Sequence, residues 1–169
     1  MTHPILPQAG TIFDAIEAFA AVLGPHRRLI GIDLGTKTIG LALSDVTRTI
    51  ATPLETIRRV KFTPDANRML EIAAEHAIAG LVLGLPVNLD GTEGPRAQAT
   101  RAFARNIIKM SPLPILLWDE RLSTAAAERT LLEADTSRKR RAEVIDKMAA
   151  SIILQGALDC MRHLSGQRG

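Results

Sequence analysis

The chain has 169 residues, 46% of them hydrophobic and 23% charged, enough for one domain around a single core. Lys and Arg number 21 against 18 Asp and Glu, a formal net charge of +3, which permits a polyanionic partner without demanding one. A single cysteine, Cys160, excludes an internal disulfide framework and reads as a core residue between Leu158 and Met161; no apolar run approaches the roughly 18 residues of a membrane span and no basic leader opens the chain, so a cytoplasmic protein is expected.

In chain order, Ile12, Phe13, Ile16, Phe19, Ala20 and Leu23 fall at helical spacing and predict an amphipathic helix over Thr11 to Leu23, ended by Gly24-Pro25. It belongs to an N-terminal extension, residues 1–27, preceding a domain over 28–165. Leu29, Ile30 and Ile32 read as a buried strand, Gly35 breaks it, and Ile39 to Leu43 resume as a second strand, so Asp33 sits at the mouth of a hairpin. A third extended stretch covers Ile50 to Val60, where Pro53 argues against a central strand. Asp65 to Ala79 reads as a helix capped by Gly80, and Leu81 to Leu85 as a buried strand. A loop from Pro86 to Gly94 leads into a helix with Pro95 early in it and Ala97, Thr100, Phe103 and Ile107 inward. Pro114 to Trp118 is the next strand, and Ser123 is the N-cap of an alanine-rich helix to about Glu133. A basic loop, Ser137 to Arg141, precedes a final helix from about Glu143 to Leu164 that buries Ile145, Met148, Ala149, Ile152 and Ile153. Strands first and then alternation with helices predict an α/β protein, a mixed sheet with helices on both faces.

Three carboxylates stand at element ends in this scheme. Asp33 closes the first strand, Glu120 follows the last one, and Asp146 lies near the start of the last helix, with Ala149, Ala150 and Ile153 as its helical neighbours. Acidic side chains so placed suit phosphodiester chemistry with a divalent ion, because Mg²⁺ takes oxygen ligands and keeps several waters. Mn²⁺ is the alternative ion. The four histidines are scattered and form no zinc-type spacing.

Four segments, G-I-D-L-G-T-K-T-I-G-L-A-L-S-D, L-V-L-G-L-P-V-N-L-D-G-T-E-G, W-D-E-R-L-S-T and V-I-D-K-M-A-A-S-I-I-L, together resemble the YqgF/RuvX family of RuvC-like proteins, in the family's order over Gly31 to Leu154. The resemblance implies an RNase H-like mixed five-stranded sheet, with metal-binding carboxylates at Asp33, Glu120 and Asp146 and Asp119 as a weaker fourth. It implies a nuclease that processes precursor 16S ribosomal RNA. The sequence departs from the wider RuvC-like pattern where the strand ending Gly84-Leu85 carries no acid, so Glu120 substitutes unless Asp90 or Glu93 swings in from the loop. Thr38 stands where relatives often carry a basic residue, which would weaken one phosphate contact.

Candidate nucleic-acid contacts are Thr36 and Lys37 beside the hairpin, Arg121, the stripe Arg101, Arg105 and Lys109, and the cluster Arg138, Lys139, Arg140 and Arg141 before the helix carrying Asp146. With no tyrosine and one tryptophan, backbone and shape are expected to dominate recognition over stacking. The expected partner is precursor ribosomal RNA ahead of branched DNA, with a ribosomal subunit as a further partner, no membrane, and a monomer or homodimer. Rival readings are a junction resolvase, a non-catalytic nucleic-acid-binding module and an actin-like phosphotransferase, the last disfavoured by length.

Overall fold

The computed structural model describes residues 10–123 and 138–166, the final helix with its side chains from Ile145 onward. The elements run β1 (Ile12–Phe13), α1 (Ile16–Val22), β2 (Leu29–Leu34), β3 (Thr38–Ser44), β4 (Ala51–Arg58), α2 (Phe62–Glu75), β5 (Gly80–Leu85), α3 (Pro95–Ile107), β6 (Ile115–Asp119), a 3₁₀ turn (Glu120–Leu122) and α4 (Arg138–Gly166). They build a six-stranded sheet in the order β1-β6-β5-β2-β3-β4. The pairs β2/β3 and β3/β4 are antiparallel, whereas β2/β5, β5/β6 and β1/β6 are parallel. The expected mixed α/β sheet is therefore present, widened by one short strand.

That extra strand corrects the predicted helix over Thr11 to Leu23. Ile12 and Phe13 pair with Ile115 and Leu116, and only Ile16–Val22 is helical. The open edge of β6 carries backbone groups that need partners, and two bulky apolar residues satisfy it better than another half-turn of helix. The tertiary context thus overrode a helical spacing that the same residues also display.

Alternation along the strands divides the core in two. Ile30, Ile32, Leu81, Leu83, Ile115 and Leu117 face α2 and α3, all at most 4% exposed. Leu29, Val82, Leu116 and Trp118 face α4 and α1, against Ile153, Leu154 and Phe19. Each such side chain contributes about 1.5 to 3 kcal/mol relative to leaving it in water. Within α4, Ile145, Ala149 and Ile153 are buried as expected, but Met148 and Ile152 are only half-buried.

Pro53 is accommodated because β4 is an edge strand, where it lies opposite Ala42 beside a register shift at Leu41/Ala42. The α2 helix starts at Phe62 and stops at Glu75, earlier at both ends than predicted. Ala77, with φ of 50°, takes the left-handed turn that was assigned to Gly80, and Ile78 N donates to Ala73 O at 3.0 Å. Gly80 instead opens β5 beneath Phe19: a Cβ there would sit 3.0 Å from the ring. The basic stretch from Arg138 to Arg141 is the first turn of α4, not a loop, in keeping with the good helix propensity of Arg and Lys. The predicted helix after Ser123 lies outside the described residues.

Candidate active site

Three glycines let α4 lie directly on the sheet. A Cβ on Gly31 would come within 2.6 Å of Leu154 Cβ and 2.8 Å of Ala150 O, and one on Gly40 within 2.1 Å of Asp146 O. Gly40 is the cross-strand partner of Asp33, and Asp33 lies two residues after Gly31 on the same face of β2. So α4 runs antiparallel to β2, with Ala150 over Gly31 and Asp146 over the Asp33–Gly40 pair. Asp33 is 2% exposed, a carboxylate buried at the end of its strand under the helix.

Thr38, one pair further along β3, donates its hydroxyl to Asp146 Oδ2. The position that read as a weakened phosphate contact therefore orients a carboxylate. Glu120 completes the arc from the other side. Gly84 stands opposite Trp118, and a Cβ on it would meet Glu120 Oε1 at 2.8 Å and Ile153 Cδ1 at 2.6 Å. The strand that lacks the expected acid thus offers a space into which the next strand's acid reaches. Asp33, Asp146 and Glu120 all lie on the α4 side of the sheet, at the end where β2, β5 and β6 finish.

Asp119 does something else. Arg121 donates from Nε and from its terminal nitrogen to the Asp119 carboxylate at 2.7 to 3.1 Å, and its backbone N–H adds a bond at 2.9 Å. The side-chain bond from Arg121 holds the Asp119 carboxyl below the usual carboxylate range, and the pairing raises Arg121 in turn. The other terminal nitrogen of Arg121 faces Gly91, 3.6 Å from where a Cβ would be.

The loop over 86–94 is held by its own turn and does not send an acid to the centre. Thr92 donates from its backbone and hydroxyl to Asp90 Oδ1 at 2.9 and 2.6 Å, and Asn88 N donates to Thr92 O at 2.9 Å. Glu93 is gripped by Arg101 at 2.5 and 2.8 Å, and Arg101 also reaches Asp14 at 3.1 Å. Neither acid stands in as the missing ligand. A cleft of about 530 Å³ runs beside this loop, lined by Asn88, Leu89, Arg96, Glu120, Arg121 and Ser123 among others, with Leu89 96% exposed at its lip.

Thr36 and Lys37 are exposed at the hairpin tip beside Asp33. Arg105 and Lys109 are exposed too, but α3 leads away from the end of β5 toward the start of β6, so both lie at the opposite end of the sheet from the carboxylates. Lys109 falls beyond the helix end, which breaks the predicted stripe. The backbone of Arg138, Lys139, Arg140 and Arg141 precedes Asp146 by between one and just over two turns of α4; their side chains are outside the described residues.

Among the described residues, no three His, Cys, Asp or Glu side chains form a ready-made metal cluster. The arrangement is an open arc of oxygen donors with one buried carboxylate at its centre. Such an arc suits a hard divalent ion that retains waters and borrows a ligand from a phosphate, and it does not suit zinc, which needs a closed set of nitrogen and sulfur donors.

The chain is similar to several known proteins. Residues 27–160 match the RuvX model, described as a Holliday junction resolvase. A protein of Ruegeria sp. (strain TM1040) is 67% identical over 153 residues, 90% of this chain and 98% of that relative, and one of Paracoccus denitrificans (strain Pd 1222) is 63% identical over 153 residues, 90% and 97%. Both carry the name "Putative pre-16S rRNA nuclease". Among solved structures, T. thermophilus RuvC in complex with Holliday junction substrate aligns with a TM-score of 0.49 and 14% identity over 81% of this chain and 96% of that one. A chain that matches the RuvX model over most of its length and shares more than 60% of its residues with these relatives belongs to the RuvX family.

Proposed function

We propose that this protein is a metal-dependent endonuclease of the cytoplasm that hydrolyses phosphodiester bonds in the precursor of 16S ribosomal RNA. The observation that carries the reading is the buried Asp33 carboxylate, stacked under α4 at the level of Asp146 and on the same face as Glu120. Carboxylates gathered at one sheet end make a site that a hard divalent cation suits, and such a cation is the reagent this chemistry requires. The names of the close relatives supply the substrate.

Asp33, Asp146 and Glu120 would hold Mg²⁺, or Mn²⁺ in its place. A divalent ion held there would supply Lewis-acid polarisation of a phosphoryl oxygen and a water of lowered pKa. The chain's own groups do the positioning. Thr38 fixes the rotamer of Asp146, Gly40 sets how close the helix carrying it comes, and Gly84 leaves room for Glu120. Asp119, the weaker fourth candidate, is paired with Arg121. Thr36 and Lys37 stand where a phosphate beside the scissile bond would pass.

The description of the matching family favours a second reading, resolution of branched DNA. End-labelled 16S precursor and a labelled four-way DNA junction, each incubated with Mg²⁺ or with EDTA, separate the two. Metal-dependent cutting of the RNA with an intact junction supports the proposal, and cutting of the junction alone overturns it.

A further inference from the structure

Resting on that reading, we propose that Lys37, Arg59 and Lys61 form a phosphate track that holds the sugar-phosphate backbone of the substrate on the β4 side of the carboxylates. Arg59 and Lys61 come from a part of the sequence far from every site motif, and the fold brings them to the hairpin that carries Asp33. Arg59 N donates to Lys37 O at 2.9 Å, and its guanidinium donates to Gly35 O at 2.6 Å. Arg59 therefore bridges the end of β4 and the turn between β2 and β3. Lys61 follows as the residue that precedes the first turn of α2.

The charged side chains of this rim are exposed. Arg68, Arg101, Arg121 and Arg162 are each ion-paired with carboxylates, whereas Lys37, Arg59 and Lys61 make no ion pair among the described residues. Two acids from the same stretch of chain are engaged elsewhere. Glu55 takes Arg68 at 2.9 Å, and Asp65, 5% exposed, accepts from Val60 N at 3.2 Å beneath the turn. Three like charges kept together at one rim cost self-repulsion unless an anion is shared between them.

The chemistry of the rim selects phosphate over base. It presents ammonium and guanidinium groups, which as point charges and forks suit phosphate oxygens. The β4 strand lies two strand spacings from β2, about 10 Å. The track therefore engages phosphates flanking the scissile one, and it holds the strand without regard to sequence.

The test is fluorescence anisotropy of the full-length protein with a fluorescein-labelled RNA spanning the 5′ boundary of the 16S precursor, in EDTA over a series of KCl concentrations. Lys61→Gln should reduce the slope of log affinity against log salt by about 0.7 to 1, and Lys37→Gln/Lys61→Gln by about twice that. Arg59→Lys, which keeps the charge, should retain the slope, and Arg162→Gln, at the far end of α4, should change nothing. Wild-type slopes in Lys61→Gln and in the double variant, with RNA cutting intact, would overturn the track and leave the nuclease reading standing. If the wild-type protein neither binds nor cuts the RNA or a four-way junction, the nuclease reading falls and the track with it.

Discussion

Gly40→Ala probes how α4 and the sheet set the candidate site. The added Cβ would stand 2.1 Å from Asp146 O and 2.4 Å from its carbonyl carbon, where real Cβ contacts essentially never fall below 3.0 Å. Both atoms are backbone, so no rotamer can relieve the clash, and helix and strand must separate by about an ångström. Overpacking of this kind costs about 1 to 3 kcal/mol. It lowers the melting temperature by roughly 2 to 4 °C for each kcal/mol. The larger effect falls on activity, because the separation carries the Asp146 carboxylate away from Asp33, directly across from the substituted residue. A displacement of that size costs on the order of 10²-fold in rate. Urea titration and initial-rate RNA cleavage measured on one preparation separate the two effects. Ile72→Val, a core trim under α2 on the far face, costs about 0.5 to 1.5 kcal/mol and should leave the rate unchanged. Wild-type cleavage by Gly40→Ala would refute the argument that this helix contact positions the carboxylates.

Other substitutions test neighbouring links. Gly84→Ala meets Ile153 at a flexible side-chain end but also meets Glu120 Oε1, so cleavage should fall by about tenfold or more with a destabilisation of only about 1 kcal/mol, read by the same pair of assays. Thr38→Val removes the hydroxyl that orients Asp146 while keeping a β-branched residue in β3; the rate should drop, and Thr38→Ser should restore much of it. Asp45 is held at a pKa of about 2 by the Ile50 N–H and by the Thr47 hydroxyl, below its usual 3.8. Its contribution to stability is complete above the usual value and is lost as pH falls through about 2, so urea midpoints between pH 4 and pH 2 should decline more steeply for the wild type than for Asp45→Asn.

Much of this architecture is legible in the chain because its strands are short apolar runs bounded by glycine, and because Asp33 follows one of them immediately. The two-residue strand at Ile12 was hidden because its side chains also satisfy a helical period, and only the unpaired edge of β6 decides between the two. Pairing of Arg121 with Asp119 depends on the 3₁₀ turn, which no periodicity reveals. Thr38 carried a signal, a hydroxyl on the strand beside Asp33, but its partner lies 108 residues away and could not be named from spacing. The same holds for Gly40 and Gly84, whose value is the space that a distant helix or carboxylate occupies. Arg59 and Lys61 were passed over because they sit in no motif and reach the hairpin only through strand pairing.

The most direct measurement of the central claim is cleavage of end-labelled 16S precursor by wild type and by Asp33→Asn, with Mg²⁺, with Mn²⁺ and with EDTA. The account predicts cutting that requires a divalent ion and is abolished by the substitution, with RNA binding retained. Cutting by Asp33→Asn at the wild-type rate, or wild-type cutting that persists in EDTA, would contradict it.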